Sequence, residues 1–435
     1  MTTRETLALL RRYESRNVTY LDPDGTWPIV WERAAGVHVW DAEGKKYLDL
    51  TAAFGVAAAG HANPAVVAAG QAQMAKLLHA MGDVHPHALK AELARKLSEL
   101  TFERWSHGSR ITQHAKTIFC NSGFEAVEAA LKTALLATGR HGVIAFKGAY
   151  HGLGYGTLNA TQREHFRGPF DRQLRQFAEW VDFPLKPADL PVVELQIRRC
   201  FARGWVGAIL VEPVQARGGI HVPPPEFLPL LRRLCEEHKA LLVLDEIYTG
   251  FGRTGKWFAC DHGGVMPDLI CLGKALTGGF PLSACVGRAD VMDAAWPVSN
   301  GEAIHTSTFL GHPVGCAMAL AQIGEIQRLD LLTSSAERGT YLLDELRRLR
   351  VPGLTAQARG VGLMAGLELR RSDESPATAE ALAAIKKLLQ RGYIFLPEGE
   401  HGNVISFTPP LIITEAQLAE AVTQLGKVLT AGGHP

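Results

Sequence analysis

The chain has 435 residues, with 45 Lys and Arg against 44 Asp and Glu, a formal balance of +1. Apolar residues make up 47% and charged residues 20%, ordinary globular usage that argues against a disordered or coiled-coil chain. The neutral balance argues against a dedicated nucleic-acid binder, which needs a basic face.

In chain order, the apolar run 7–10 meets Arg11-Arg12 and is too short for a secretory core or a membrane span. Residues 37–49 alternate around a turn-like Glu43-Gly44, the pattern of a β-hairpin. His85 and His87 hint at a metal, but the intervening Pro86 and the lack of a third ligand favour a plain loop, so no metal is expected. Short apolar runs at 117–120, 143–146, Val206–Val211, 241–244 and Leu269–Leu272 read as strands. Helical patterns, such as 125–137 and 228–238, lie between several of them. That alternation predicts an α/β fold with a mostly parallel sheet. After about residue 329 come a long helix (336–349), a strand-like stretch (362–369), a further helix, a strand and a terminal helix. Length alone allows roughly three domains. The expected division is a large domain over 61–328 and a smaller α+β domain assembled from 1–60 and 329–435. The seven cysteines are scattered and none forms C-x-x-C, which points to a reducing cytoplasm without disulfides or zinc.

In a parallel sheet, ligands sit beyond the carboxyl ends of the strands, so the residues there matter most. After Cys120, Ser122 with Glu125 fits a capping box, and Gly123 at the same helix start also suits an anion such as phosphate. After Phe146, Tyr150 is flanked by Gly148 and Gly152; it is either a core tyrosine or an aromatic lying flat on a planar ring. Glu212 directly follows a buried strand, a costly place for a carboxylate unless it is paired or catalytic. Asp245 ends an apolar strand ahead of a glycine-rich loop. Lys274 stands among apolar and small residues, where burial lowers its pKa and frees the amine for Schiff-base chemistry. Together a phosphate cradle, a flat aromatic, a carboxylate and such a lysine suit one cofactor, pyridoxal phosphate (PLP).

Over about 36–429 the chain resembles the class III, ω-amino acid type aminotransferases, in the fold type I group of PLP enzymes. The resemblance rests on 121–132, on 244–255 with Lys274 following, and on 305–313. It implies that Lys274 carries the cofactor and moves the proton, and that Asp245 pairs with the pyridine nitrogen. It implies further that Ser122 and Gly123 bind the phosphate, that Tyr150 and Ile247 cover the two ring faces, and that Gln215 reaches the ring hydroxyl. Glu212 is placed near the substrate side, with Phe124 and His151 in the same cofactor-binding set. Thr308 is expected to reach the phosphate of a neighbouring subunit, which implies a homodimer. Trp27, Phe54 and Val56 fall in stretches that line the substrate pocket.

Three departures from the family pattern bear on the substrate. Ser406 stands where an arginine precedes the Pro409-Pro410-Leu411 motif, Leu153 stands where γ-aminobutyrate enzymes carry another, and the mobile arginine is missing from 396–399. Phe124 also replaces a small hydroxyl residue. Either the amino donor is an amine without a carboxylate at the usual place, or Arg163, Arg167 or Arg217 supplies the clamp. The expected reaction moves an amino group from a primary amine or ω-amino compound to pyruvate or 2-oxoglutarate in two half-reactions. The alternatives are an amino-acid or lactam racemase or epimerase of the same family, or a non-catalytic PLP-binding regulator.

Overall fold

The computed structural model describes residues 1–23, 25–107 and 113–431. Near the N-terminus β1 (Trp31–Ala35), β2 (His38–Asp41) and β3 (Lys46–Asp49) form an antiparallel meander. Its second turn is the one expected at Glu43-Gly44, where Gly44 takes φ +83°, a region that favours glycine.

The central sheet holds β4 (Ala115–Cys120), β5 (Gly142–Phe146), β6 (Ala178–Val181), β7 (Val206–Val211), β8 (Leu241–Asp245), β9 (Leu269–Leu272) and β10 (Ser283–Arg288). Their spatial order is β4-β10-β9-β8-β7-β5-β6, and β10 alone runs antiparallel to its neighbours. Both faces are covered, so alternate side chains of one strand enter different cores. Ile144, Phe146, Ile209 and Val211 join the larger core. Val143, Ala145, Ala208 and Leu210 face the other way, against helix Gly123–Thr138. That helix presents Ala126, Ala129, Ala130 and Ala134 to the sheet, and these small side chains allow close approach.

The tail forms β11 (Leu354–Val361), β12 (Met364–Arg371), β13 (Tyr393–Ile394), β14 (Leu396–Glu398) and β15 (Val404–Phe407). Four of them make a sheet in the order β11-β12-β15-β14, while β13 pairs in parallel with β3, setting Tyr393 opposite Leu48. Both ends of the chain therefore share a sheet.

The five expected central strands all form. β6 and β10 were not expected, because Ser283-Ala284-Cys285-Val286-Gly287-Arg288 lacks a bulky apolar run. Its smallness is required: a Cβ on Gly287 would lie 2.5 Å from Leu269. In the tail, Gly362 turns at φ +56° between β11 and β12, so the strand expected at 362–369 begins after that turn. The long helix starts earlier than its pattern suggests, at Leu331, and ends at Arg348.

Candidate active site

Five carboxyl ends of the central sheet converge on a cavity of about 370 Å³. From the end of β4 comes the Ser122-Gly123-Phe124 helix start, from β5 Tyr150 and His151, from β7 Glu212, from β8 Asp245, and from β9 Lys274. All but Ser122 line the cavity, together with Ile247, Tyr248 and Arg217.

The acids are held by specific donors. His151 Nδ1 lies 2.8 Å from Asp245 Oδ2, and the Ile247 N–H donates to Asp245 Oδ1 at 3.1 Å. His151 Nε2 is buried without a hydrogen-bond partner among the described residues. The backbone N–H of His151 is fixed in turn on Thr161 Oγ1 at 2.9 Å. Glu212, 6% exposed, accepts from the N–H groups of Tyr150 (2.9 Å) and Ala216 (3.2 Å). Burial outweighs those bonds and the nearby His151, and with Asp245 close by it pushes the Glu212 carboxyl up to about 7.

Lys274 opens a short turn just after β9 with φ +38°, a left-handed backbone that costs a non-glycine residue about 1–3 kcal/mol. Its Nζ stands 4.3 Å from the centroid of the Tyr248 ring. Desolvation holds the ammonium below its ordinary pKa, against the opposing pull of Asp245 and Glu212. The lysine is thus tuned towards the free amine.

At the other end of the cavity, Glu125 Oε2 accepts from the N–H groups of Asn121 (2.7 Å) and Ser122 (3.2 Å). Ser122 Oγ is buried and has no hydrogen-bond partner among the described residues. An orphaned hydroxyl at the N-terminus of a 16-residue helix is a site waiting for an anion. Ile247 lies against this start, since a Cβ on Gly123 would be 3.1 Å from its side chain. Phe124 crosses Gly152 so closely that a Cβ there would be 2.3 Å away. The residues fit PLP, with an anion cradle, an anchored carboxylate and a desolvated lysine around one slot.

Not every expected residue faces this cavity. Gln215 turns away: its Nε2 donates to the Lys147 carbonyl at 2.8 Å and it lines a neighbouring polar cavity. Thr308 lies on an exposed turn outside this chain's own lining, next to Ser307, whose Oγ is 3.4 Å from Asn121 Nδ2. Trp27 and Phe54 line a second cavity of about 600 Å³, whereas Val56 lines neither. Phe54 sits in a run of left-handed residues, with φ +47° at Ala52, +49° at Ala53 and +63° at Phe54. Tyr248 and Glu398 were missed as site residues. Tyr248 stands in the glycine-rich loop after Asp245, a signal that could have found it; Glu398 carries no such mark. His87 Nε2 meets the Gly311 carbonyl at 2.7 Å, and no metal-holding group of His, Cys, Asp or Glu occurs among the described residues.

Residues 20–429 match the model of the aminotransferase class-III family. The chain is 38% identical over 414 residues to putrescine aminotransferase of Pectobacterium atrosepticum, covering 93% of this chain and 83% of that protein. It is 36% identical to acetylornithine aminotransferase of Methanopyrus kandleri, covering 94% and 96%. Among solved structures, a PLP-bound amine transaminase from an uncultivated Pseudomonas species superposes with a TM-score of 0.87 at 28% identity, covering 97% of this chain and 99% of that one. The chain belongs to the class III aminotransferases. It is a PLP-dependent enzyme of fold type I that transfers an amino group from an amine to a 2-oxo acid. The racemase or epimerase alternative gains no support from these relatives.

Proposed function

We propose that Lys274 is the residue that carries PLP and shuttles the proton, and that the surrounding groups take the roles their positions suit. Bound PLP supplies an electron sink for the carbon that loses its proton. Lys274, its pKa lowered by desolvation, takes that proton and returns it one position away; being already in place, it makes the transfer effectively unimolecular. Asp245, oriented by His151, keeps a cation at the inner end of the slot charged. Ser122 Oγ and the Gly123 N–H hold the phosphate, while Tyr150 and Ile247 bound the ring on its two sides. Glu212 faces the substrate side, and Gln215 holds the wall through Lys147. The observation that carries this reading is the desolvated Lys274 sharing one cavity with the Asp245–His151 pair.

The amino donor in this reading is a primary amine or ω-amino compound, as the putrescine specificity named for one relative suggests. Pyruvate or 2-oxoglutarate is the acceptor. The working unit is a homodimer in which Thr308 serves the partner's site; its exposed turn outside this chain's own cavity supports that. The smaller domain joins 1–60 to 329–435, supported by the pairing of β13 with β3. A reducing cytoplasm is supported by seven buried, unpaired cysteines. No helix among the described residues is long and apolar enough to cross a membrane.

The test is a single half-reaction. Stoichiometric holoenzyme mixed with a primary amine and no oxo acid should release one equivalent of carbonyl product and leave the cofactor in its pyridoxamine form. Inverted stereochemistry of the amine, with the cofactor unconverted, would refute transfer.

A further inference from the structure

With the family's usual arginines missing, three residues of this chain could read a substrate carboxylate, and the structure separates them. Arg167 is committed to Asp171 at 3.7 Å and lies over the Trp180 ring at 5.5 Å. Arg163 donates to the Glu400 carbonyl at 3.3 Å, lies over Phe166 at 5.4 Å, and lines the neighbouring polar cavity. Arg217 is different. It lines both the 370 Å³ cavity around Lys274 and the 600 Å³ apolar cavity beyond, so it stands in their shared wall.

The Arg217 guanidinium is poised and not consumed. Its Nε is buried without a partner, and it makes no ion pair within 4.0 Å among the described residues. It lies over the Tyr150 ring at 5.2 Å. Its backbone is pinned by the Gly399 N–H, which donates to the Arg217 carbonyl at 3.1 Å. That bond brings β14 alongside, and Glu398, only 4% exposed, borders the same apolar cavity. The Glu398 carboxylate has no hydrogen bond or ion pair among the described residues. It feels Arg217, Lys274 and Arg163 as charges around it. Arg217 is half-buried, and its water-shielded Nε has no acid bonded to it, an arrangement that a ligand carboxylate would complete.

We infer that Arg217 is the specificity residue that binds the carboxylate of the 2-oxo acid acceptor. In a small 2-oxo acid the carboxylate is one bond from the reacting carbonyl, so its reader must line the same small cavity as Lys274. Arg217 does, and its planar fork suits bidentate capture of a carboxylate. An amine donor without a carboxylate leaves the guanidinium unliganded and extends its apolar body past it, between Trp27, Phe54 and Leu396. The inference rests on Lys274 being the reaction centre proposed above.

Arg217→Gln and Arg217→Lys holoenzymes test it with two acceptors, pyruvate and the uncharged butanal, and one saturating primary amine. The ratio of kcat/KM for pyruvate to that for butanal should fall about 10- to 100-fold in Arg217→Gln, the loss of one charge-assisted pair. Arg217→Lys, which keeps the charge, should recover part of it. Calorimetric binding of oxamate, an unreactive analogue of pyruvate, should weaken by a similar factor and needs no turnover. A fall of less than about threefold in both readouts would overturn the inference. Failure of the wild-type enzyme to turn over while oxamate still discriminates the variants would instead fault the reaction centre.

Discussion

Around Lys274, the polar groups arrive on strand ends and fix one another: His151 on Asp245, Thr161 on His151, and the Tyr150 and Ala216 N–H groups on Glu212. Beyond Arg217, the apolar cavity is assembled from Tyr20 and Trp27, Phe54, the 379–386 face of a tail helix, and β14. An ion pair between Asp22 and Lys386 ties it. The first region is set by sheet register and leaves little freedom. The second is a joint between distant parts of the chain, held mainly by apolar contact. The proposed roles would place reaction chemistry on the part fixed by the sheet and substrate choice on the joint.

Breaking the rigid region should have the larger consequences. Lys274→Ala should lower kcat by at least about 10³-fold, because both the anchor and the proton carrier go; steady-state rates check this, and retained turnover would refute the assignment. Asp245→Asn should cost roughly 10²–10³ in kcat, as expected when a preorganised charge is removed. His151→Phe, which frees that carboxylate without deleting it, should cost less.

Glu212 gives a pH test of the same region. Its carboxyl is raised in the fold to about 7 from an ordinary 4.5, so its favourable contribution is complete below 4.5 and is lost as pH rises to about 7. Glu212→Gln removes that dependence. Between these limits the stability of the cofactor-free wild type, relative to the variant, should fall by about 3 kcal/mol and then stay level. Urea unfolding across pH 4.5 to 8 reads this, and a flat difference would contradict it. The smallest effect belongs to the adaptable side. Trp27→Ala should lower kcat/KM for an arylalkyl amine about tenfold, with a smaller change for a short amine such as propylamine. An equal loss for both would place Trp27 in the scaffold and not the pocket.

The same contrast explains what could be read from the chain. Ser122, Glu212, Asp245 and Lys274 each follow an apolar strand directly, so a local pattern marks them and the fold brings them together. Gln215 carries the same kind of mark, yet its amide turns to the Lys147 carbonyl, a contact 68 positions away that no local pattern reveals. Likewise β10 escapes notice because Gly287 answers to Leu269 on the neighbouring strand and to Met292 on the following helix. Glu398 and Arg217 become neighbours where the Gly399 N–H meets the Arg217 carbonyl, a bond between segments about 180 residues apart. Local sequence exposes groups that a single strand end delivers, and hides those that need two distant segments to meet.

Lys274 is the proposed carrier of the cofactor. Borohydride reduction of the holoenzyme followed by peptide mapping tests this directly. The pyridoxyl adduct should appear on the peptide containing Lys274 and be lost in Lys274→Ala. An adduct on another lysine, or none in the wild type, would contradict it.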